Sequence, residues 1–390
     1  MRALWVTAEE PNRARGGGNI RQAHIVEALA GAVETHLLLL GPLRDAVLPD
    51  VLAGVTEVPV PERNPAAPTS RRVTAVAWGI AGRQPEELIV TRAKRAALAP
   101  VLAELAPQFD VICLEHLHLA PLIPPRPHHG RWLLTIQNVP STFAAHAHAI
   151  VPGRRHRWLW ERERRKAVRA EKAAAAAADT LIAVSDEDAV VLGADAVVPN
   201  GVDVDHYAPT PIPSAPRLVV TGTLAFLPNV DGLVWFCDNV FPRVQREVPD
   251  VSLDIVGRDA VPAVKALADR PGIRMHHDVP AIQPFIDAAR VALVPVRIGS
   301  GTRVKALEAM ASGRPVVGTT IGLEGLGVID GEHAMVRDDP AEMAAAIVTL
   351  LRDDATAARI AAAARRHVEA RFTWTRIGAD FVSVVRDEHR

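Results

Sequence analysis

A chain of 390 residues is too long for one ordinary hydrophobic core and implies two domains, each of roughly 150–200 residues; its 49% hydrophobic content supplies buried sheets. A formal net charge of −1 argues against wholesale nucleic-acid binding, and two cysteines, Cys113 and Cys237, in different halves exclude a disulfide framework and a zinc cluster. No apolar run of about 18 residues exists to span a bilayer, and residues 1–7 read as a strand and not a signal peptide, since Glu9 and Glu10 follow at once; a cytoplasmic protein is the expectation.

In chain order, the first half alternates short apolar runs with helical periods. Strands are expected at 2–7, 35–40, 110–114, 131–136, 180–184 and 195–198, and helices near 19–31, 92–105, 157–178 and 186–192. Gly16-Gly17-Gly18-Asn19 lies ahead of the first helix. The run Leu114-Glu115-His116-Leu117-His118-Leu119 ends a buried strand, whose alternation puts His116 and His118 on one face and Glu115 on the other. Ligand contact and plain loop packing both fit these histidines; a metal site would need a third ligand that the sequence does not place. Residues 154–172 hold nine Arg or Lys against three Glu, with Trp158 and Trp160 near the start. A solvated helix laced with i,i+4 pairs is the favoured reading there, and peripheral contact with an anionic membrane surface is the other. Ser185 before Asp186-Glu187-Asp188 reads as a helix start.

A Pro-rich break at 209–216 separates the halves. Strands follow near 217–222, 251–257, 291–295, 315–318 and 334–337, with helices near 230–247, 260–269, 302–312, 340–352, 355–370 and 374–386. This pattern predicts an α/β fold of two doubly wound, Rossmann-like domains facing across a cleft, with ligands at the carboxyl ends of parallel strands. A dinucleotide oxidoreductase would need Gly-x-Gly-x-x-Gly directly after the first strand of a domain. The first domain offers Gly16-Gly17-Gly18 too late and with the wrong spacing, and the second offers Gly222 alone.

The richest segment runs from Gly299 to Val317. A glycine loop, Gly299-Ser300-Gly301, follows a buried strand and opens a helix carrying Arg303 and Lys305 in its first turn and Glu308 inside it. Glycines allow close backbone approach to a ligand, and a helix N-terminus offers N–H groups to an anion. Two cations there oppose the helix dipole unless an anion compensates them. The segment reads as a phosphate site beside a hydroxyl-binding carboxylate.

Several motifs in this order resemble the glycosyltransferase-B fold, and glycosyltransferase family 4 in particular. They are Val198-Pro199-Asn200-Gly201-Val202-Asp203, Thr221-Gly222-Thr223-Leu224 with Pro228-Asn229-Val230-Asp231-Gly232, Ile255-Val256-Gly257-Arg258, the Gly299–Val317 segment, and Thr320-Ile321-Gly322-Leu323-Glu324-Gly325-Leu326. The resemblance implies an acceptor-binding domain at 1–205, a nucleotide-sugar domain at 206–372, and a helix at 373–390 returning to the first. It implies retaining transfer from a nucleotide-diphosphate sugar to a hydroxyl acceptor (a glycan, a lipid or a natural product), with no cofactor and no metal. Arg303, Lys305 and Glu308 then serve catalysis, Glu308 on the ribose hydroxyls. Donor contacts fall to Gly17, Gly18, Gly222, Thr223, Asn229, Gly257, Arg258, Val279, Ser300, Gly301, Thr302 and Val304, and acceptor contacts to His116, His118, Gln137 and Asn138.

Three departures stand out. Ser300 replaces the first Glu of the family's Glu-x7-Glu motif, Asn229 lies close to where relatives carry Lys, and Gln137 replaces a His and can only hydrogen-bond. Arg303 and Lys305 are read as relocating the missing positive charge. Asp203-Val204-Asp205 imitates a metal signature but sits at the domain junction, where turn chemistry is expected. A nucleotide-sugar 2-epimerase and a non-catalytic sugar-nucleotide-binding subunit remain as alternatives of the same fold.

Overall fold

The computed structural model describes residues 1–13, 16–45, 48–60 and 84–388. These residues form two compact units, Met1–Pro199 with Ile377–Arg390, and Asn200–Arg376. The sequence had suggested 205/206 for the junction.

Unit 1 holds seven strands: β1 (Arg2–Thr7), β2 (Glu34–Leu40), β3 (Gly54–Val58), β4 (Val111–Glu115), β5 (Arg131–Ile136), β6 (Thr180–Ala183) and β7 (Ala196–Val197). They pair in the order β3-β2-β1-β4-β5-β6-β7, and every pairing is parallel. Strands inside such a sheet are covered on both faces, so β4 and β6 are buried at every position and apolar except for Glu115 at the end of β4 and Thr180 at the start of β6. The order reverses between β1 and β4, which opens a crevice at their carboxyl ends. Helix Gly17–Ala30 starts there.

Several elements of unit 1 lie outside the sequence expectation, among them the short helices Leu48–Val51 and Glu86–Val90, strand β3 and helix Pro140–Ile150. The edge strand β3 alternates in exposure and carries a glutamate, so its apolar content is too low to read. Helix Pro140–Ile150 has proline in its first turn, where the missing N–H costs nothing. Glu171 anchors it by accepting the Ser141 backbone N–H at 2.8 Å. Glu171 belongs to helix Arg154–Ala177 and is nearly fully buried, which pushes its carboxyl up.

Unit 2 holds β8 (Arg217–Thr223), β9 (Ser252–Arg258), β10 (Ile273–His277), β11 (Val291–Val294), β12 (Val316–Gly318) and β13 (Met335–Val336). Their order, all parallel, is β10-β9-β8-β11-β12-β13, reversing between β8 and β11. The polar edge strand β10 was not expected either. Arg274 stands directly opposite Asp254 of β9 and bonds it at 2.9 Å, and His276 reaches the same carboxylate at 2.8 Å. Cross-strand charge pairs fix this register where apolar pattern is weak. The single helix expected at 230–247 is two, Leu227–Asn239 and Phe241–Glu247. Pro242 lacks the N–H that would continue the first into the second.

Helix Trp374–Arg386 ends the described chain, and from Ile377 onward it belongs to unit 1. Ile377, Phe381, Val384 and Val385 (i, i+4, i+7, i+8) are all buried, and the Phe381 ring meets Trp5 of β1 at 5.5 Å. Phe381→Ala removes a fully buried ring and is expected to cost about 3–5 kcal/mol, read as an earlier urea transition of unit 1. A shift within error would show that the helix is not part of that unit's core.

Candidate functional site

In unit 2, sequence places glycine where backbones crowd at the carboxyl ends of β8 and β9. A Cβ on Gly257 would lie 1.8 Å from the Gly222 carbonyl oxygen, so no side chain fits there. Gly222 has φ +147°, and a Cβ on it would lie 2.8 Å from Lys305 Nζ and 2.9 Å from Asn229 Nδ2. Beyond β11 the loop turns on Gly299 and Gly301, with φ of +127° and +83°, conformations that favour glycine. Helix Val304–Ala311 follows, with Arg303 as its N-cap residue.

Lys305 Nζ donates to Asn229 Oδ1 at 2.6 Å, and Asn229 Nδ2 donates to the Thr223 carbonyl at 2.8 Å. Helix 304–311 is thereby tied to the end of β8. Desolvation, and then the nearby Arg303 charge, bring the Lys305 ammonium down to about 8, while Glu308 opposes that fall. Glu308 is 8% exposed. Burial pushes its carboxyl up; a hydrogen bond from Tyr207 Oη at 3.1 Å and the Lys305 charge pull it down. The Tyr207 hydroxyl is in turn pushed up by burial and by Glu308.

Ser300 and Thr302 are buried in the loop. The Arg303 guanidinium turns back on that loop, with Nη1 donating to the Ser300 carbonyl and Nε to the Ile321 carbonyl at 3.3 Å. Lys305, Asn229, Gly222, Thr223, Gly257 and Glu308 thus gather around the β8–β11 reversal. Val304 opens the helix, and Val279 packs against the apolar cluster beneath it that includes Val256, Val294 and Leu307. Arg258 instead pairs with its neighbour Asp259 at 3.8 Å with 42% of its side chain exposed.

Sequence reasoning missed Tyr207, whose signal was available: it is the only tyrosine of the chain and follows the junction motif. Its carbonyl accepts from Arg365 Nη1 at 2.8 Å, which holds the segment in place. Asp203 Oδ1 accepts the N–H groups of Asp205 at 3.0 Å and His206 at 2.9 Å, so the Asp-Val-Asp run forms a turn. Among the described residues, no group of three or more His, Cys, Asp or Glu is placed to hold a metal.

In unit 1, the carboxyl ends of β4 and β5 bring Glu115 and Gln137 together, with Gln137 Nε2 donating to Glu115 Oε1 at 2.5 Å. A Cβ on Gly18 would lie 3.0 Å from Gln137 Oε1, so the glycine-rich turn that begins with Gly17 packs close to this amide. Glu115 also faces Arg21 at 3.8 Å, and both side chains are 1% exposed. Strand alternation does not carry His116 and His118 as expected. The strand ends at Glu115, His116 turns with φ +79°, and His118 lies in a 3-10 helix, Leu117–Leu122; the two rings still stack at 5.4 Å. Burial pushes the His118 imidazole down, against the carboxylate of Glu87 at 3.5 Å. Asn138 is exposed.

The basic helix Arg154–Ala177 is laced within itself. Glu161 takes hydrogen bonds from Arg164 at 2.7 Å and Arg165 at 2.8 Å, which hold its carboxyl down at about 2. Trp158 is 56% exposed. No helix among the described residues is long and apolar enough to cross a membrane.

Residues 215–353 match the family model described as glycosyl transferases group 1. D-inositol 3-phosphate glycosyltransferase of Xylanimonas cellulosilytica is 32% identical over 248 residues, 55% of this chain and 58% of that protein. Phosphatidyl-myo-inositol mannosyltransferase of Mycobacterium leprae is 32% identical over 209 residues, 50% of this chain and 54% of that one. The chain thus spans little more than half the length of these curated relatives. Sucrose-phosphate synthase from Thermosynechococcus elongatus superposes with a TM-score of 0.73 at 17% identity, covering 99% of this chain and 98% of that one. Anabaena HepE, solved with UDP and glucose, superposes with a TM-score of 0.68 at 15% identity, covering 99% and 100%. The glycosyltransferase-B fold read from the sequence is borne out, and residues 215–353 of unit 2 carry the likeness to glycosyl transferases.

Tyr207→Phe deletes the hydroxyl donor to Glu308. A donor to the charged form lowers a carboxyl pKa, so the Glu308 titration is expected to move further up, followed by carbon NMR of the labelled side chain. An unmoved titration would mean that Tyr207 does not hold that carboxylate.

Proposed function

We propose that this glycosyltransferase-B chain transfers a sugar from a nucleotide-diphosphate sugar to a hydroxyl acceptor, with retention of configuration and without a metal. One observation carries the reading: Gly299–Arg303, the start of helix 304–311, Lys305 and Glu308 converge at the β8–β11 reversal, inside the segment that matches the family model. The UDP bound to HepE supports a nucleotide in the equivalent fold.

The diphosphate would lie over the glycine loop, within reach of the helix N–H groups and Lys305. As the bond from the anomeric carbon to the diphosphate oxygen breaks, negative charge develops on that oxygen, where these groups are already oriented. The acceptor oxygen bonds to the same face of the anomeric carbon and its proton passes to the departing diphosphate. No protein nucleophile is needed. Lys305 exchanges Asn229 Oδ1 for phosphate oxygen, and the ribose hydroxyls donate to Glu308, offsetting the burial that pushes its carboxyl up. Arg303 shapes the loop through Ser300 and Ile321 and adds positive potential. In unit 1, Gln137, His116 and His118 supply polar contacts to the acceptor.

A non-catalytic nucleotide-sugar-binding subunit has one observation in its favour, the small neutral Ser300 in place of a sugar-orienting carboxylate. Purified protein with UDP-, ADP- and GDP-sugars, read by thermal shift and by nucleoside-diphosphate release on an acceptor panel, separates the two. Binding with release supports the transferase, binding without release the subunit, and no binding removes both.

The ammonium of Lys305 gives this reading a pH signature. The diester phosphates of a nucleotide sugar do not titrate near neutrality, so Lys305 sets the profile. It is charged below about 8, and an anion beside it raises that value, so binding takes up a proton above it. Donor affinity is expected to be flat from pH 6 to 7 and to fall up to ~10-fold per unit above ~8, since each pKa unit is worth 1.36 kcal/mol. Lys305→Met should bind more weakly, with the alkaline fall gone. A fall that survives in Lys305→Met would assign it to another group.

A further inference from the structure

We infer that Asn200, at the junction motif, is a positioning residue that locks one peptide group of the phosphate loop so that it presents N–H and not oxygen to the donor diphosphate. The inference rests on the nucleotide-sugar reading above and adds a residue to it.

Asn200 is 7% exposed and makes two contacts with one loop residue. Its backbone N–H donates to Thr302 Oγ1 at 3.3 Å, and its side-chain Nδ2 donates to the Thr302 carbonyl oxygen at 3.2 Å. A trans peptide is planar, with C=O and N–H on opposite sides. Fixing the Thr302 carbonyl on Asn200 therefore directs the Arg303 N–H to the opposite side of the loop. The lock is needed because Gly299 and Gly301 precede this peptide, and glycine leaves the backbone free to adopt other conformations. A flipped 302–303 peptide would present a carbonyl oxygen, with its negative partial charge, to the diphosphate.

Asn200 can act this way because its own backbone is fixed. A Cβ on Gly201 would lie 2.7 Å from the Trp374 ring and 3.1 Å from the Phe372 carbonyl, so only glycine fits there. The Val202 N–H then donates to that same carbonyl at 2.8 Å, and Val202 is buried. The run divides the work: Gly201 gives the close fit, Val202 the backbone anchor, and the Asn200 side chain holds the loop through Thr302.

The test uses the full chain with UDP, ADP, GDP and inorganic pyrophosphate as calorimetric probes. Asn200→Ala loses the Nδ2 donor, and Asn200→Asp keeps the size but presents only acceptors and adds negative charge. Kd for the probes that wild type binds is expected to rise about tenfold in Asn200→Ala and further in Asn200→Asp. Val264→Ala, which opens a core site in unit 2, calibrates plain destabilisation: its melting temperature falls while Kd stays. An Asn200→Ala protein that behaves like Val264→Ala, melting earlier with unchanged Kd, overturns the positioning role alone. Wild-type protein that binds none of the four probes overturns the nucleotide-sugar reading, and the role of Asn200 with it.

Discussion

A cation in the first turn of a helix sits at the wrong end of the helix dipole, and in unit 2 that cation is also partly desolvated. Lys305 is the residue around which the rest of the site is arranged. Asn229 Oδ1 accepts from it, and the Glu308 carboxylate sits one turn along the same helix. Glu308 brings a burial cost of its own, offset by the Tyr207 hydroxyl. Tyr207 is fixed by Arg365, whose Nη1 also donates to the Ala311 carbonyl at 2.6 Å. Ala311 ends helix 304–311, so this second cation lies where the dipole favours it. The helix is therefore anchored by a favourable cation at its end while its start carries the unfavourable one. A violation of local preference held in place by its neighbours is expected at a functional site, not in a merely structural helix.

The glycines follow from the same arrangement. Lys305 Nζ can approach β8 because Gly222 has no side chain, and Gly257 leaves room for the Gly222 carbonyl. On the other side of β8, helix Leu227–Asn239 packs so close to the β11 loop that a Cβ on Gly232 would lie 2.3 Å from the Pro295 carbonyl. Arg297 then pairs with Asp231 at 2.8 Å and lies over Trp235 at 5.1 Å, bracing the loop ahead of Gly299. Close backbone approach, not side-chain volume, sets the dimensions of this edge of the sheet. Small residues here are steric requirements of the cation's position.

The sequence made this edge legible to different degrees. The order of strands and helices in both units was readable because parallel sheets covered on two faces leave apolar runs with helical periods between them. The edge strands β3 and β10 were not, since Thr56, Glu57, Arg274 and His276 break the apolar pattern and cross-strand polar pairs hold β10 in its place. Spacing within one helix sufficed to find Lys305 and Glu308. The residues that hold this helix, its loop and its carboxylate, Asn200, Tyr207 and Arg365, are 105, 98 and 60 positions from Lys305, and only the fold brings such distant residues together. Asn229 was noticed for what it replaced, but its bond to Lys305 could not be read. His116 and His118 were paired through strand alternation, whereas a left-handed residue at His116 makes the pairing.

Unit 1 presents the converse problem, polar chemistry that stability alone does not explain. Arg21 and Glu115 are 1% exposed and 3.8 Å apart, too far for a direct hydrogen bond. Burying both charges costs several kcal/mol each before their attraction is counted, and an apolar pair would fill the space more cheaply. The pair sits where the strand order reverses, and Glu115 spends one oxygen on Gln137 Nε2. That bond fixes which way the amide faces, leaving its carbonyl oxygen on the side of Gly18. A freely rotating glutamine would present either end. Held by Glu115, it presents an acceptor on that side and not a donor. Gln137 is thus a fixed hydrogen-bond acceptor with no capacity to transfer a proton, and the buried carboxylate behind it is the reason.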